Sequence, residues 1–239
     1  MQRHFDEELN QLKERLLRMS SLAEKAISST IKALIDRDAE LALSVADSDD
    51  PINMLEIEIE EFCLKLLALH QPQAGDLRFI IAAMKINNDL ERVGDLAVNI
   101  AKVTKYLIKI PVVKSLNEIS DMAKAAQKML KDSLDAFVNK DAQLAKNVCK
   151  RDDEVDNMNK KIFMNFLSSA KDPKAVEYAV DLILIAKNFE RIADHSTNIC
   201  EDVVYLVEGK TVKHHIEERQ IILAQKKQEK PAKNSNPSK

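Results

Sequence analysis

Apolar residues recur in this chain at alternating steps of three and four, over stretches much longer than an ordinary helix, with prolines only at the joints. Leu9, Leu12, Leu16, Met19, Ala23, Ala26, Thr30 and Ala33 form one stripe. Leu41, Val45, Ser48, Ile52, Leu55, Ile59, Phe62, Leu66 and Leu69 form a second, and Ile86, Leu90, Val93, Ala97, Ile100, Thr104 and Leu107 a third. That spacing fits the 3.6-residue turn of a helix and excludes the alternation of a half-buried strand. A helix of ~33 residues spans about 50 Å. Pro51, Pro72, Pro111 and Pro173 are the only prolines before the last segment of the chain. Aromatics at 4% and the absence of Trp also suit a bundle better than a sandwich. The fold class expected is all-α.

The second half of the chain repeats the first. Ala33-Leu34-Ile35-Asp36-Arg37-Asp38-Ala39-Glu40-Leu41-Ala42 matches Ala136-Phe137-Val138-Asn139-Lys140-Asp141-Ala142-Gln143-Leu144-Ala145 at an offset of 103. Leu90-Glu91-Arg92-Val93-Gly94-Asp95 matches Phe189-Glu190-Arg191-Ile192-Ala193-Asp194 at an offset of 99. The difference falls at His70-Gln71-Pro72-Gln73-Ala74-Gly75, a longer connection than its counterpart near Asp172-Pro173. Asp38 and Asp141 stand where N-caps are needed. We therefore expect two tandem three-helix bundles, six long helices in all, over residues 1–110 and 111–209. Residues 210–239 form a basic, partly disordered C-terminal extension. They hold seven Lys and one Arg against three Glu, which leaves the first 209 residues at −8 against a whole-chain charge of −3. An acidic body repels phosphate backbones, so no nucleic-acid partner is expected.

Other function classes are excluded by what is missing. Three glycines are too few for a glycine-cradled nucleotide site. Cys63, Cys149 and Cys200 contain no CxxC pair, so reduced core thiols are expected. With no apolar run of 18 residues and no signal-peptide pattern at the start, a cytoplasmic protein without a membrane span is expected.

The chemistry on offer is carboxylate chemistry. Glu91, Asp95 and Asn99 stand at steps of four, and Glu190, Asp194 and Asn198 copy them in the second half. On a helix such residues line one strip, here turned away from the Leu90, Val93, Ala97 seam toward solvent or an exterior groove. Like charges at i,i+4 cost about 0.2–0.5 kcal/mol. A cation between them would convert that repulsion into coordination by hard oxygen donors. A second acidic cluster precedes each strip: Asp49 with Asn53, and Asp152 with Asp156. Asp49 and Asp50 also suit capping of the helix that Pro51 begins. The oxygen set admits iron, manganese, magnesium or calcium. His195 and His214-His215 read as ordinary surface residues or accessory ligands. There is no Glu-x-x-His pair for a buried di-iron site, and no nucleophile elbow or Cys/His constellation for covalent catalysis. A metal-dependent hydrolase or oxidase on the carboxylate scaffold is the alternative class.

Two tandem units, each ending in a Glu-Arg-(Ile/Val)-(Gly/Ala)-Asp helix, with Gln71-Pro72-x-x-x-Asp76-Leu77-Arg78 before the first, resemble the PhoU family of phosphate-uptake regulators over roughly residues 5–209. The resemblance implies a six-helix, two-repeat bundle that is not an enzyme. It implies surface metal ions at the ExxxD motifs, including multinuclear iron clusters, with zinc, manganese or magnesium as other occupants. It further implies a negative regulator that links the ATPase subunit of the phosphate ABC transporter to a phosphate-sensing histidine kinase, and an exposed helix face in such an adaptor makes a homodimer the expected assembly. The ExxxD ligands correspond to Glu91 and Asp95, and to Glu190 and Asp194. The upstream acids correspond to Asp49 with Asn53, and to Asp152 with Asp156. Two departures stand out: Ala193 replaces Gly94, which a helix should favour, and Asn53 is neutral where Asp156 is charged, which should weaken the first site.

Overall fold

Each stripe folds into helix because only that period brings its apolar residues onto one face. The computed structural model describes residues 2–47, 50–110, 116–169 and 173–210, and helix is the regular structure among them. In chain order the elements are α1 (Gln2–Asp36), α2 (Ala39–Ala46), α3 (Asp50–His70), α4 (Ala74–Leu107), α5 (Asn117–Asn139), α6 (Ala142–Cys149), α7 (Asp152–Ser169) and α8 (Pro173–Glu208). The protein is all-α and two-fold repeated, as the stripes require. The second helix of each half, however, is in two pieces. Six arms are thus built from eight segments among the described residues. In the first half the break follows Asp47, and Pro51 sits in the first turn of α3, where its missing N–H costs nothing. In the second half the break is at Lys150-Arg151, and Asp152, Asp153 and Glu154 open α7, where the helix dipole favours acids.

The junctions before these short helices are duplicated in detail. Arg37 and Lys140 both take left-handed backbone (φ 53° and 52°). The next amide then reaches back to close the helix end, Asp38 N to Ala33 O at 3.0 Å and Asp141 N to Ala136 O at 2.9 Å. The same two aspartates cap the short helices, each accepting from the amide three residues on, Leu41 N and Leu144 N, at 2.9 Å. The Arg37 side chain also serves α4: its Nη2 donates to the carbonyls of Ile108 (2.5 Å) and Ile110 (2.6 Å), which have no helical partner at that end.

The halves do not keep separate cores. α4 and α8 form the most extensive helix pairing; α1, α2 and α3 pack on α4, and α5, α6 and α7 pack on α8. Leu12, Leu16, Met19, Ile59, Ile86, Leu90, Leu182, Phe189 and Ile192 thus belong to one continuous apolar cluster. Each such side chain, fully buried, contributes about 1.5–3 kcal/mol. Phe79 of the first half stacks on Phe137 of the second, ring centres 5.9 Å apart. The basic extension beyond residue 210, with His214-His215, lies outside the described residues.

One pair of differences between the repeats is compensatory. A Cβ added at Gly94 would stand 2.9 Å from Ile52 Cδ1 and 3.3 Å from its Cγ2. In the second half the counterpart of Gly94 is Ala193, fully buried, and the counterpart of Ile52 is the smaller Val155, which has no Cδ1. Ala on a helix gains about 1 kcal/mol over Gly, but that gain is available at position 94 only when Ile52 gives way. We expect Gly94→Ala alone to gain much less than this or to destabilise. Gly94→Ala combined with Ile52→Val should show a favourable coupling of about 0.5 kcal/mol or more in a denaturant double-mutant cycle. Additive single effects would contradict the account.

Candidate metal centre

Both strips lie where a long helix of each half passes the start of α3 or α7. In the first half, α4 presents Glu91 (22% exposed) and Asp95 (39%), with Arg92 beside both: Nε lies 3.3 Å from Glu91 and Nη1 3.4 Å from Asp95. α3 is held to α4 by Asn87, whose Nδ2 donates to the Glu56 carbonyl oxygen at 2.9 Å. This brings the Glu56 carboxylate into the field of Glu91. Burial, then the Asp95 charge, and also the Glu56 charge, hold the Glu91 carboxyl above the usual range, and Arg92 offsets only part of the effect. Asn53 is half-buried, in the same opening stretch of α3 as Ile52, whose side chain covers Gly94. Asn99 is exposed. Asp49 lies outside the described residues.

In the second half, α8 presents Glu190, 14% exposed and ion-paired with Lys187, and Asp194 one turn on. Desolvation and the Glu190 charge raise the Asp194 carboxyl; Asp156, across on α7, adds to this, while Lys187 and His195 pull the other way. Asp152 is buried in the first turn of α7. Asn198 turns from this strip to the seam between the halves, where its Nδ2 donates to Asp89 Oδ1 at 3.2 Å. His195 is not a surface residue. Its side chain is 16% exposed, and Nδ1 stands 2.7 Å from the same Asp89 oxygen.

The counter-charges were not expected from the i,i+4 spacing. Arg92 and Lys187 sit at i+1 and i−3 of the glutamates, and their side chains fold back along the helix. Both are more than half exposed (54% and 56%), so neither is locked in place. Among the described residues, no set of three or more His, Cys, Asp or Glu side chains converges closely enough to enclose an ion as they stand. What the structure brings together is a two-helix oxygen set in each half: Glu91, Asp95 and Glu56 in one, Glu190, Asp194 and Asp156 in the other. Glu56 was missed because its counterpart is the neutral Asn159. The acid on α3 stands one turn along relative to α7, at Glu56 where the second half has its acid at Asp156. The donors are hard oxygens, the ligand type that divalent and trivalent cations prefer.

The raised Asp194 carboxyl has a stability consequence. An acid whose folded pKa exceeds its unfolded value favours the fold fully below the unfolded pKa, and that contribution is lost as pH rises through the folded one. In chelator-treated protein near pH 7, Asp194→Asn should therefore unfold at a higher temperature than the parent chain, by the equivalent of about 0.2–0.5 kcal/mol. The advantage should vanish below the ordinary aspartate range. Thermal melts across pH check this; an Asn variant no more stable at neutral pH would contradict it.

The comparisons agree with this architecture. The PhoU domain family matches residues 16–104 and again 119–203, one copy in each half. A phosphate-specific transport system accessory protein PhoU homolog of Clostridium acetobutylicum is 41% identical over 210 residues, covering 87% of this chain and 96% of the relative. The homolog from Aquifex aeolicus is 40% identical, covering 89% and 97%. The crystal structure of PhoU from Pseudomonas aeruginosa superposes with a TM-score of 0.83 at 38% identity, covering 86% of this chain and all of that one. The phosphate transport system regulatory protein PhoU from Streptococcus pneumoniae gives 0.82 at 33% identity, covering 87% and 99%. With both repeats matched and relatives this similar along most of its length, the chain belongs to the PhoU family.

Proposed function

We propose that this protein regulates phosphate uptake and phosphate-starvation signalling without catalysing a reaction, as a metal-carrying adaptor between the ATPase subunit of a phosphate ABC transporter and a sensor histidine kinase. The observation that carries the reading is the pair of acidic strips. They occupy matching places in both halves, and burial, with repulsion from neighbouring acids, keeps Glu91 and Asp194 raised despite Arg92 and Lys187. The printed names of the relatives, an accessory protein and a regulatory protein of phosphate transport, supply the physiological setting.

Glu91, Asp95, Glu56 and Asn53, with Asp49, would hold the ion or cluster of the first half. Glu190, Asp194, Asp156 and Asp152 would hold that of the second. Iron fits these oxygens, as do manganese, magnesium and zinc. A bound cation supplies positive charge to the strip; the protein's own part is to fix the oxygens on two helices and leave the outer side open to a partner. No described helix is long and apolar enough to cross a membrane, which suits an adaptor reaching its partners from the cytoplasm. Exposed Phe163, Met164 and Leu167 on α7 offer an apolar face to a second copy.

Elemental analysis of protein purified without chelator tests the metal reading. Stoichiometric metal is expected, with about half lost in Glu91→Ala/Asp95→Ala while the helical circular dichroism is unchanged. Pull-downs with the transporter ATPase and the kinase, metal supplied, test the adaptor reading. Metal no higher than in a chelated control, together with no capture of either partner, would overturn the proposal.

A further inference from the structure

Two of the three cysteines, 51 positions apart in the chain, meet in the fold. Cys149 ends α6 and Cys200 lies in α8, on which α6 packs. Cys149 Sγ lies 4.0 Å from the carbonyl oxygen of Thr197, one turn before Cys200, and the two thiols are near enough to perturb each other's titration. Both thiols are free. Cys200 is fully buried and Cys149 nearly so, at 9% exposure, which makes Cys149 the one nearer the surface. Packing does not require sulfur here. The counterparts in the first half are Ala46 and Ala101, and α2 packs on α4 there with alanine at both positions.

We propose that Cys149 and Cys200 form a reversible intramolecular disulfide when the protein meets a peroxide, an oxidative modification that bonds α6 to α8. In the first step the Cys149 sulfur, its proton lost, attacks the peroxide. An S–O bond forms, the O–O bond breaks, and one water leaves, giving a sulfenic acid. In the second the Cys200 sulfur attacks Cys149: the S–S bond forms, the S–O bond breaks, and the second water carries away the remaining proton. Two electrons pass from the pair of sulfurs to one peroxide, and a dithiol reductant reverses the change by exchange. The bond pins the corner from which α7 and Asp152 start, and therefore one edge of the second acidic strip.

Cys63 is an internal control. It is fully buried on α3, has no sulfur partner, and burial, with the Glu60 charge, pushes its thiol up to about 12. The experiment uses the full chain, reduced and then titrated with hydrogen peroxide. Remaining thiols are alkylated under denaturing conditions and the protein is read by intact and peptide mass spectrometry. The expected result is loss of two thiols together and a mass lower by two hydrogens. A linked Cys149–Cys200 peptide should appear, with Cys63 fully alkylated and complete reversal by dithiothreitol. Cys200→Ser should instead retain oxygen on Cys149, with no linked peptide. Three alkylated thiols after a peroxide dose that oxidises the urea-unfolded chain would overturn the proposal. So would oxidation of Cys63 in step with the pair, or mixed intermolecular disulfides in place of the internal one.

Discussion

Everything else in this molecule is arranged around the pairing of α4 with α8. Each is the last helix of its repeat, each is longer than 30 residues, and each carries one acidic strip. Their contact is apolar along most of its length but is crossed by half-buried polar ties: Asp89 with His195 and Asn198, and Lys85 with Asp202 at 2.7 Å. Burying a carboxylate is costly unless it is hydrogen-bonded or paired. These partners therefore tolerate little sliding, and they fix the register in which the halves meet. The positions of the two strips relative to each other follow from that register.

A strip on such a helix is shielded at one end. Because α4 and α8 are covered on several sides by their own repeats and by each other, the glutamates that open each strip meet another element, while Asn99 and Asp194 stay exposed. This is why Glu91 and Glu190 are largely screened from water, why Glu91 and Asp194 feel acids on α3 and α7, and why the basic side chains beside the glutamates come from their own helix. The site is thus a by-product of packing two three-arm units back to back, with each strip placed beside the N-terminal turn of the preceding arm.

Much of this was legible in the residues. The 3.6 period gave the helices, the matching Arg-Asp and Lys-Asp junctions gave both N-caps, and the duplicated Glu-x-x-x-Asp gave the strips. The breaks after Asp47 and at Lys150-Arg151 were hidden because the apolar stripe keeps its phase across them: both pieces still face the same core. Arg92 and Lys187 escaped notice because the favourable i,i+4 rule does not describe side chains that fold back from i+1 or i−3. Asp89 with His195, and Cys149 with Cys200, join residues far apart in the chain, and no local spacing reports such a meeting. Glu56 was hidden by the alignment itself, since its partner in the repeat is Asn159.

The Asp89–His195 tie has an evolutionary corollary. In the repeat register, Asp89 corresponds to Asn188 and His195 to Leu96, so the tie exists in only one orientation of the pair. Two copies of the first half, associated like the present halves, would bury an aspartate against leucine; two copies of the second would set a histidine opposite an asparagine. Two first halves paired in this way would lack the tie, so the asymmetry favours the joining of two unlike halves over the pairing of two first halves.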